Sequence, residues 1–290
     1  MAPQSKIRCR QITESDLDPV IELLIRGFPE RNRAYWEKGL RRQAERAVPE
    51  GIPRFGYMLD CDGRPVGVLL LFGNAVDVDG RMAARCNVSS WYVEPDFRSY
   101  APLLVAIPLK QKDVTFVNVS PARHTWPVVE AQGFTPLCRG QFTAFPFLGR
   151  PVRGVSLREV RADDDGIGFA SLPEFEMMRT HAGYGCTSLV VSAPDGDHPF
   201  IFKSQRRLKG TVPCPQLIYC RNVDDFVRFA GPVGRFFLRR GMPWMLLDAD
   251  GPVDGLVGFF QDERGRKYYR GPAKPGLCDL SYTEFALFGP

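Results

Sequence analysis

The chain has 290 residues, 44% of them hydrophobic and 24% charged, the balance of a folded protein with room for two domains or one large one. Its net charge of +5 suits an anionic ligand such as a nucleotide or coenzyme A, while the lack of a basic tail argues against a nucleic-acid partner. The opening "MAPQSKIRCR" carries no apolar signal core, and the longest apolar run, Val66 to Phe72, is too short to span a bilayer, so a cytoplasmic protein without a membrane span is expected.

In chain order, "KIRCRQI" alternates polar and apolar residues and predicts a first strand. "TESD" follows as a helix start, with Thr13 or Ser15 as N-cap and acids in the first turn. Leu17, Val20, Ile21, Leu24 and Ile25 then fall at helical spacing, which predicts a helix to about Arg26. A second, basic helix with a solvated face is expected over Arg33 to Ala47, ended by the Pro49–Pro53 region. "FGYMLDCDGRPVGVLLLFG" places two apolar runs around Asp62 and Gly63, a hairpin signal. "AARCNVSSWYV" predicts another strand. "WYVEPDFRSYAPLL" leads from its end through a turn at Pro95 into an apolar helix, "PLLVAIPLK". A short strand "DVTFVNV", a helix "SPARHTWPVVEAQGF" closing at Gly133, and a strand "CRGQFTAFPF" complete the first half. The order β-α-α-β-β-β-α-β-α-β describes an α/β (α+β) unit with a mixed central sheet flanked by helices over residues 1–150.

Residues 151–290 repeat landmarks of the first half in the same order, which predicts a duplicated architecture. "RQITESD" at Arg10 is echoed by "REVRADD" at Arg158, and "RSYAPLL" at Arg98 by "RFAGPVG" at Arg228. "DVTFVNV" corresponds to "PWMLLDA", and "QFTAFPFLG" (141–149) to "SYTEFALFG" (281–289). The first two landmarks stand closer together in the second half, which predicts the loss of one helix, the counterpart of the basic one. The Pro- and Gly-rich "PFLGRPVRGVS" reads as the linker.

The eight cysteines form no CxxC and the three histidines are far apart, so no metal site is expected and the thiols read as reduced core residues. Asp248, Asp250 and Asp254 lack the frame of a calcium loop and read as a turn after a strand, and His181 reads as a helix-end residue.

Residues 6 to 147 resemble the GCN5-related N-acetyltransferase superfamily. The resemblance rests on the element order, on "YVEPDFRSYAPLL" as strand-turn-helix, and on "NVSPARHTWPVVEAQGF" as the later strand-helix segment. It implies an acyl-CoA N-acyltransferase-like fold in which two central strands splay apart and pantetheine bonds to the exposed strand backbone. The pyrophosphate would lie on N–H groups at the start of the next helix. The family's loop reads Arg/Gln-x-x-Gly-x-Gly/Ala. Arg98 matches its first position, while Ala101 and Leu103 stand at the two glycines and Pro102 removes a donor. The donor-binding residues implied are Tyr92, Val93, Arg98, Ser99, Tyr100 and Ala101. "RFAGPVGRF" is a second candidate loop, with Arg228 and Gly231 matching, Val233 departing and Gly234 following; "DGLVGFFQDERG" is the nearest candidate for its later helix. Tandem copies of this fold occur in the N-myristoyltransferases and the peptidoglycan-bridge aminoacyltransferases.

Acyl transfer to an amine needs a proton acceptor, donors to the thioester oxygen and an acid for the thiolate. The strand "AARCNVSSWYV" offers no carboxylate before Glu94, which reads as a solvated turn residue. Ser89 and Ser90 are candidates to hold a water, one of the two facing the cleft, and Asn118 to hydrogen-bond pantetheine or substrate; Ser90 and Asn118 are the catalytic candidates. The family's usual tyrosine acid is replaced by Val129; His124 and Trp126 lie earlier in that helix, His124 as a surface or capping residue. Two functions stay open. One is transfer of an acyl group, acetyl above all, from acetyl-CoA or a longer acyl-CoA to a small-molecule or peptide amine. The other is a catalytically inactive member of the fold that binds an acyl-CoA, another ligand or a protein partner.

Overall fold

A computed structural model of the chain describes residues 6–78, 80–207 and 212–288, the side chain of Arg207 excepted. They fall into two units, one of Met1–Phe134 with Tyr269–Lys274 and one of Thr135–Tyr268 with Pro275–Pro290. In the first unit, strand β1 (Ile7–Gln11) leads into helix α1 (Leu17–Gly27) through one short 3-10 turn. Arg10 fixes that junction: its guanidinium donates to both carboxylate oxygens of Asp16 at 2.7 Å and to Asp60 at 2.8 Å. Asp16 in turn accepts from the Thr13 N–H, closing a capping box. The Arg10 bonds hold the Asp16 carboxyl well below the usual carboxylate range. Helix α1 buries Val20, Ile21, Leu23 and Leu24, and helix α2 (Arg33–Ala44) starts at Asn32, whose side chain accepts from the Tyr35 N–H. The basic face of α2 is tied down at its start: Arg33 pairs with Asp18, Glu22 and Glu37.

Strands β2 (Gly56–Cys61) and β3 (Arg64–Val78) form the expected hairpin, with Asp62 and Gly63 both at positive φ. Strand β4 (Arg81–Val93) follows, then a 3-10 turn over Pro95–Tyr100, helix α3 (Ala101–Ala106), strand β5 (Thr115–Asn118) and helix α4 (Trp126–Ala131). The apolar helix expected over 102–110 stops at Ala106, and Pro108 opens a 3-10 turn in place of its last turn. The sheet order is β1-β2-β3-β4-β5, antiparallel except for the last pair. Gly27 closes the packing of α1 on β4, since a Cβ there would fall 2.4 Å from the Tyr92 ring.

The second unit holds strand β6 (Thr135–Ala144), strand β7 (Ser156–Val160), helix α5 (Phe175–Gly183) and strands β8 (Thr187–Ala193), β9 (Gly196–Arg207) and β10 (Val212–Cys220). Helix α6 (Val223–Leu238), strand β11 (Met245–Ala249), strand β12 (Gly258–Arg270) and helix α7 (Glu284–Leu287) complete it, with Tyr269 and Arg270 of β12 counted in the first unit. Its strands run β12-β6-β11-β10-β9-β8-β7. The core is aromatic: Phe142, Phe200, Phe202, Phe226, Phe229 and Phe237 pack with Leu217 and Leu247. One helix stands between β7 and β8, where two stand between β1 and β2.

Several expectations shift here. The first half was expected to end near residue 150, yet β6 pairs with β11 along five positions, from Met245↔Ala144 to Ala249↔Gly140, and so belongs to the second unit. Alternation in 138–147 marks a strand but not its neighbour, which is a non-local choice. "SYTEFALFG" is not the counterpart of that strand: it holds α7, and its Gly289 lies outside the described residues. "DGLVGFFQDERG" is no helix but the entry to β12. Asp248 is not in a turn; it is buried within β11 and ion-paired with buried Lys267 at 2.7 Å. His181 lies near the end of α5, but it is fully buried, with Nδ1 2.7 Å from Met177 O and Nε2 accepting from the Tyr282 N–H.

The second candidate loop is the middle of a helix. Asn222 caps α6, so Arg228, Gly231 and Gly234 lie within its turns. The two glycines let the helix approach main chain: a Cβ on Gly231 would stand 2.3 Å from Arg150 O, and one on Gly234 2.2 Å from Phe147 N. Gly234→Ala is therefore expected to lower stability by about 1–3 kcal/mol, read as a fall in the urea midpoint. Gly251→Ala, with nothing within 4 Å, should leave it unchanged.

Candidate active site

β4 and β5 run parallel but pair at only three positions, Arg85↔Thr115, Cys86↔Phe116 and Asn87↔Val117. β4 then continues to Val93, bonded to β3 on one side, while among the described residues the β5-facing edge of 88–93 has no ladder partner. A strand interior with an open edge is a row of donors and acceptors that an extended amide chain can complete. Asn87 sits where the strands part, 1% exposed, and its side-chain amide donates to Val88 O at 3.0 Å and to Val117 O at 3.2 Å. It thus holds one carbonyl from each arm. Burial pushes the neighbouring Cys86 thiol up to about 12, which removes it as a nucleophile.

The long arm carries a bulge. Leu69 pairs with Trp91 and Leu70 with Ser89, so Ser90 is the extra residue. Strict alternation would put Ser89 and Ser90 on opposite faces; the bulge brings their hydroxyls to 3.3 Å of each other. Asn118 lies on the other arm, one residue beyond the last ladder pair. The Tyr92 ring packs on Gly27 and Phe28, and the Val93 side chain is buried against Gly67.

Beyond the strand, the expected glycine loop is replaced by helical backbone. Ala101 adopts φ −52° and ψ −38°, a conformation that needs no glycine, and its N–H donates to Arg98 O. The Phe97 N–H donates to Glu94 O and Pro102 has no N–H, so the backbone offers few free donors. Leu103, whose bulk stands where the family has glycine, projects toward solvent and is 44% exposed. What the segment does offer is side chains. Arg98, Ser99 and Tyr100 are exposed, and the Arg98 guanidinium makes no ion pair or hydrogen bond among the described residues.

Glu94 is not the solvated turn residue expected, being ion-paired. Arg26 and Arg64 both pair with it, at 2.9 and 2.8 Å, tying α1 and β3 to the end of β4. Val129, at the tyrosine position, is buried, and His124 is exposed. Asn87 was not singled out in the sequence; its position as the one amide side chain in β4, between Cys86 and Val88, was the only signal.

The second unit has a fork of its own. β10 and β11 pair at Gln216↔Leu246 alone, while β10 runs on to Cys220. Here the chain itself fills the opening: Leu280 N donates to Ile218 O at 2.7 Å, Cys220 N donates to Cys278 O at 3.1 Å, and Tyr219 bridges Asp279 in antiparallel fashion. The opposite edge of β10 is already bonded to β9. Arg228 is likewise committed, with Nη2 3.0 Å from Asp195 Oδ1 and the guanidinium over the Phe229 ring.

No protein-family model matches this sequence. No curated protein matches it in sequence either. Solved structures do match. A GCN5-related N-acetyltransferase from Anabaena variabilis is similar with a TM-score of 0.59 and 13% identity, over 91% of this chain and 72% of that one. A GCN5-related N-acetyltransferase from Kribbella flavida is similar with a TM-score of 0.58 and 14% identity, over 93% and 72%. A conserved protein of unknown function from Enterococcus faecalis gives 0.60 and 11%, over 95% and 74%. The chain thus has an acyl-CoA N-acyltransferase-like fold, a mixed sheet flanked by helices. In particular, it has the fold of the GCN5-related N-acetyltransferases.

Asn87→Leu removes both amide bonds at the parting of β4 and β5 and leaves two buried carbonyls without them. A loss of about 1–3 kcal/mol is expected, measured by urea unfolding.

Proposed function

We propose that the chain is an acyl-coenzyme A-dependent N-acyltransferase with its donor along β4 of the first unit, moving an acyl group, acetyl above all, to a small-molecule or peptide amine. The observation that carries this reading is the pair of forks, one with an open bulged edge and one already filled by the chain's own C-terminal segment. That contrast also supports reading the second half as a copy of the first that has given up donor binding.

Coenzyme A, when bound, would supply the acyl group as a thioester and an extended chain of amides. The strand edge 88–93 fits those amides, because among the described residues the β4–β5 ladder ends at Asn87↔Val117 and β4 runs on beyond it. The pyrophosphate would be held by Arg98 with the hydroxyls of Ser99 and Tyr100, a charge contact standing in for the usual backbone cradle. The Ser89 and Ser90 hydroxyls are placed to hold a water that takes the proton from the amine, and the Asn118 amide to donate a hydrogen bond. The fork arms, 88–93 and 118–119, carry no carboxylate, histidine or lysine, so rate enhancement here rests on alignment of amine and thioester. Activity should then rise with pH until the acceptor amine is itself deprotonated, with no protein group setting the midpoint.

The occupied Ala101 N–H and the valine at position 129 favour a second reading, a catalytically inactive binder of acyl-coenzyme A. Thermal shift with acetyl-coenzyme A and with a long-chain acyl-coenzyme A separates the possibilities. Stabilisation by about 2.7 kcal/mol is expected at a hundredfold excess over Kd. Arg98→Ala should weaken binding about tenfold, the loss of one charged contact, and Arg228→Ala should not change it. Binding with no thiol release across a panel of amines would favour the second reading, and no stabilisation by either donor would sink both.

A further inference from the structure

The C-terminal segment that fills the second fork brings two thiols face to face. The Tyr219↔Asp279 bridge and its flanking bonds, Cys220 N to Cys278 O and Leu280 N to Ile218 O, fix an antiparallel register in which Cys220 opposes Cys278. Opposed hydrogen-bonded residues in such a ladder have Cα atoms about 5.5 Å apart, inside the window of about 4.4–6.8 Å that a disulfide spans. Both cysteines are free and buried, at 4% and 2% exposure, and they face each other across this register. Other cysteines in ladders face different residues: Cys9 opposes Leu59, Cys61 opposes Ile7, Cys86 opposes Gly73 and Cys214 opposes Gln205.

We propose that Cys220 and Cys278 are a peroxide-oxidisable pair that closes to a disulfide and locks the C-terminal segment into the fork of the second unit. One thiolate attacks hydrogen peroxide, forming a sulfenic acid and releasing hydroxide, which leaves as water. The partner thiolate then attacks the sulfenyl sulfur and expels a second water. Two thiols and one peroxide thus give one disulfide and two waters, the sulfur pair losing two electrons and the peroxide gaining them. The Cys220 side chain opposite it and burial hold the Cys278 thiol well above its usual range, so the closed pair reacts slowly. Residues 271–283, which form no helix and are tied into the sheet by the bridge at Asp279 and its flanking bonds, supply the opening that exposes it.

The test is non-reducing peptide mapping of the full chain after hydrogen peroxide, with thiols counted under denaturant. The eight cysteines should fall to six titratable thiols, with one cross-linked peptide pair holding positions 220 and 278. Cys220→Ala and Cys278→Ala should each abolish that cross-link, and Cys138→Ala should retain it. The oxidised chain should melt about 5 °C higher, a shift reversed by dithiothreitol. A disulfide mapped to any other pair, or oxidation to sulfinic or sulfonic acid without a cross-link, would overturn the proposal, as would eight thiols surviving peroxide. Should an alanine variant fail to fold, the map of the unaltered chain decides alone.

Discussion

A strand edge inside a folded unit must find partners for its N–H and C=O groups, and that requirement governs both halves of this protein. Two parallel strands that part after one to three paired residues leave such an edge. In the first unit the edge stays open and Asn87 satisfies only the carbonyls at the point of divergence. In the second unit residues 278–280 complete it as a short added strand. The same backbone demand is met from within the chain in the second unit, while in the first the ladder with β5 ends at Asn87↔Val117.

The bulge at Ser90 follows from the same geometry. An extra residue in β4 increases its local twist and helps it leave β5, and it gathers two hydroxyls that a regular strand would separate. Downstream, the chain turns into helical backbone at once, so the N–H groups bond along the turn. In the proposed function, anion recognition there would fall to side chains, and the Arg98 guanidinium is engaged by no other group among the described residues. Arg228 shows the alternative outcome. Its similar local sequence lies inside a sixteen-residue helix with Asp195 as its partner.

Much of the first unit was legible in the residues. Helical spacing located α1, Asp62–Gly63 located the hairpin, and Thr13, one of the two N-cap candidates with Ser15, marked the cap, because each signal is set by neighbours within a few positions. The strand-turn-helix at residues 91–104 was equally visible, since Pro95 and the apolar run after it are local features. The second half misled at Arg228 for a physical reason: Gly-Pro-Val-Gly reads as a loop, but in α6 the glycines serve close approach to the main chain of 146–150. Asp248 misled likewise, because its partner Lys267 lies nineteen residues away.

By itself the sequence determined the fold class, the order of elements in the first half, and a strand-turn-helix segment bearing an arginine, all consequences of local pattern and hydrophobic period. Tertiary structure alone decided that β6 joins the second unit, that Asn87 bridges the two arms, and that one fork is open while the other is filled. Those outcomes depend on which backbone groups meet across long stretches of chain, and no local pattern encodes a hydrogen-bond partner sixty residues away.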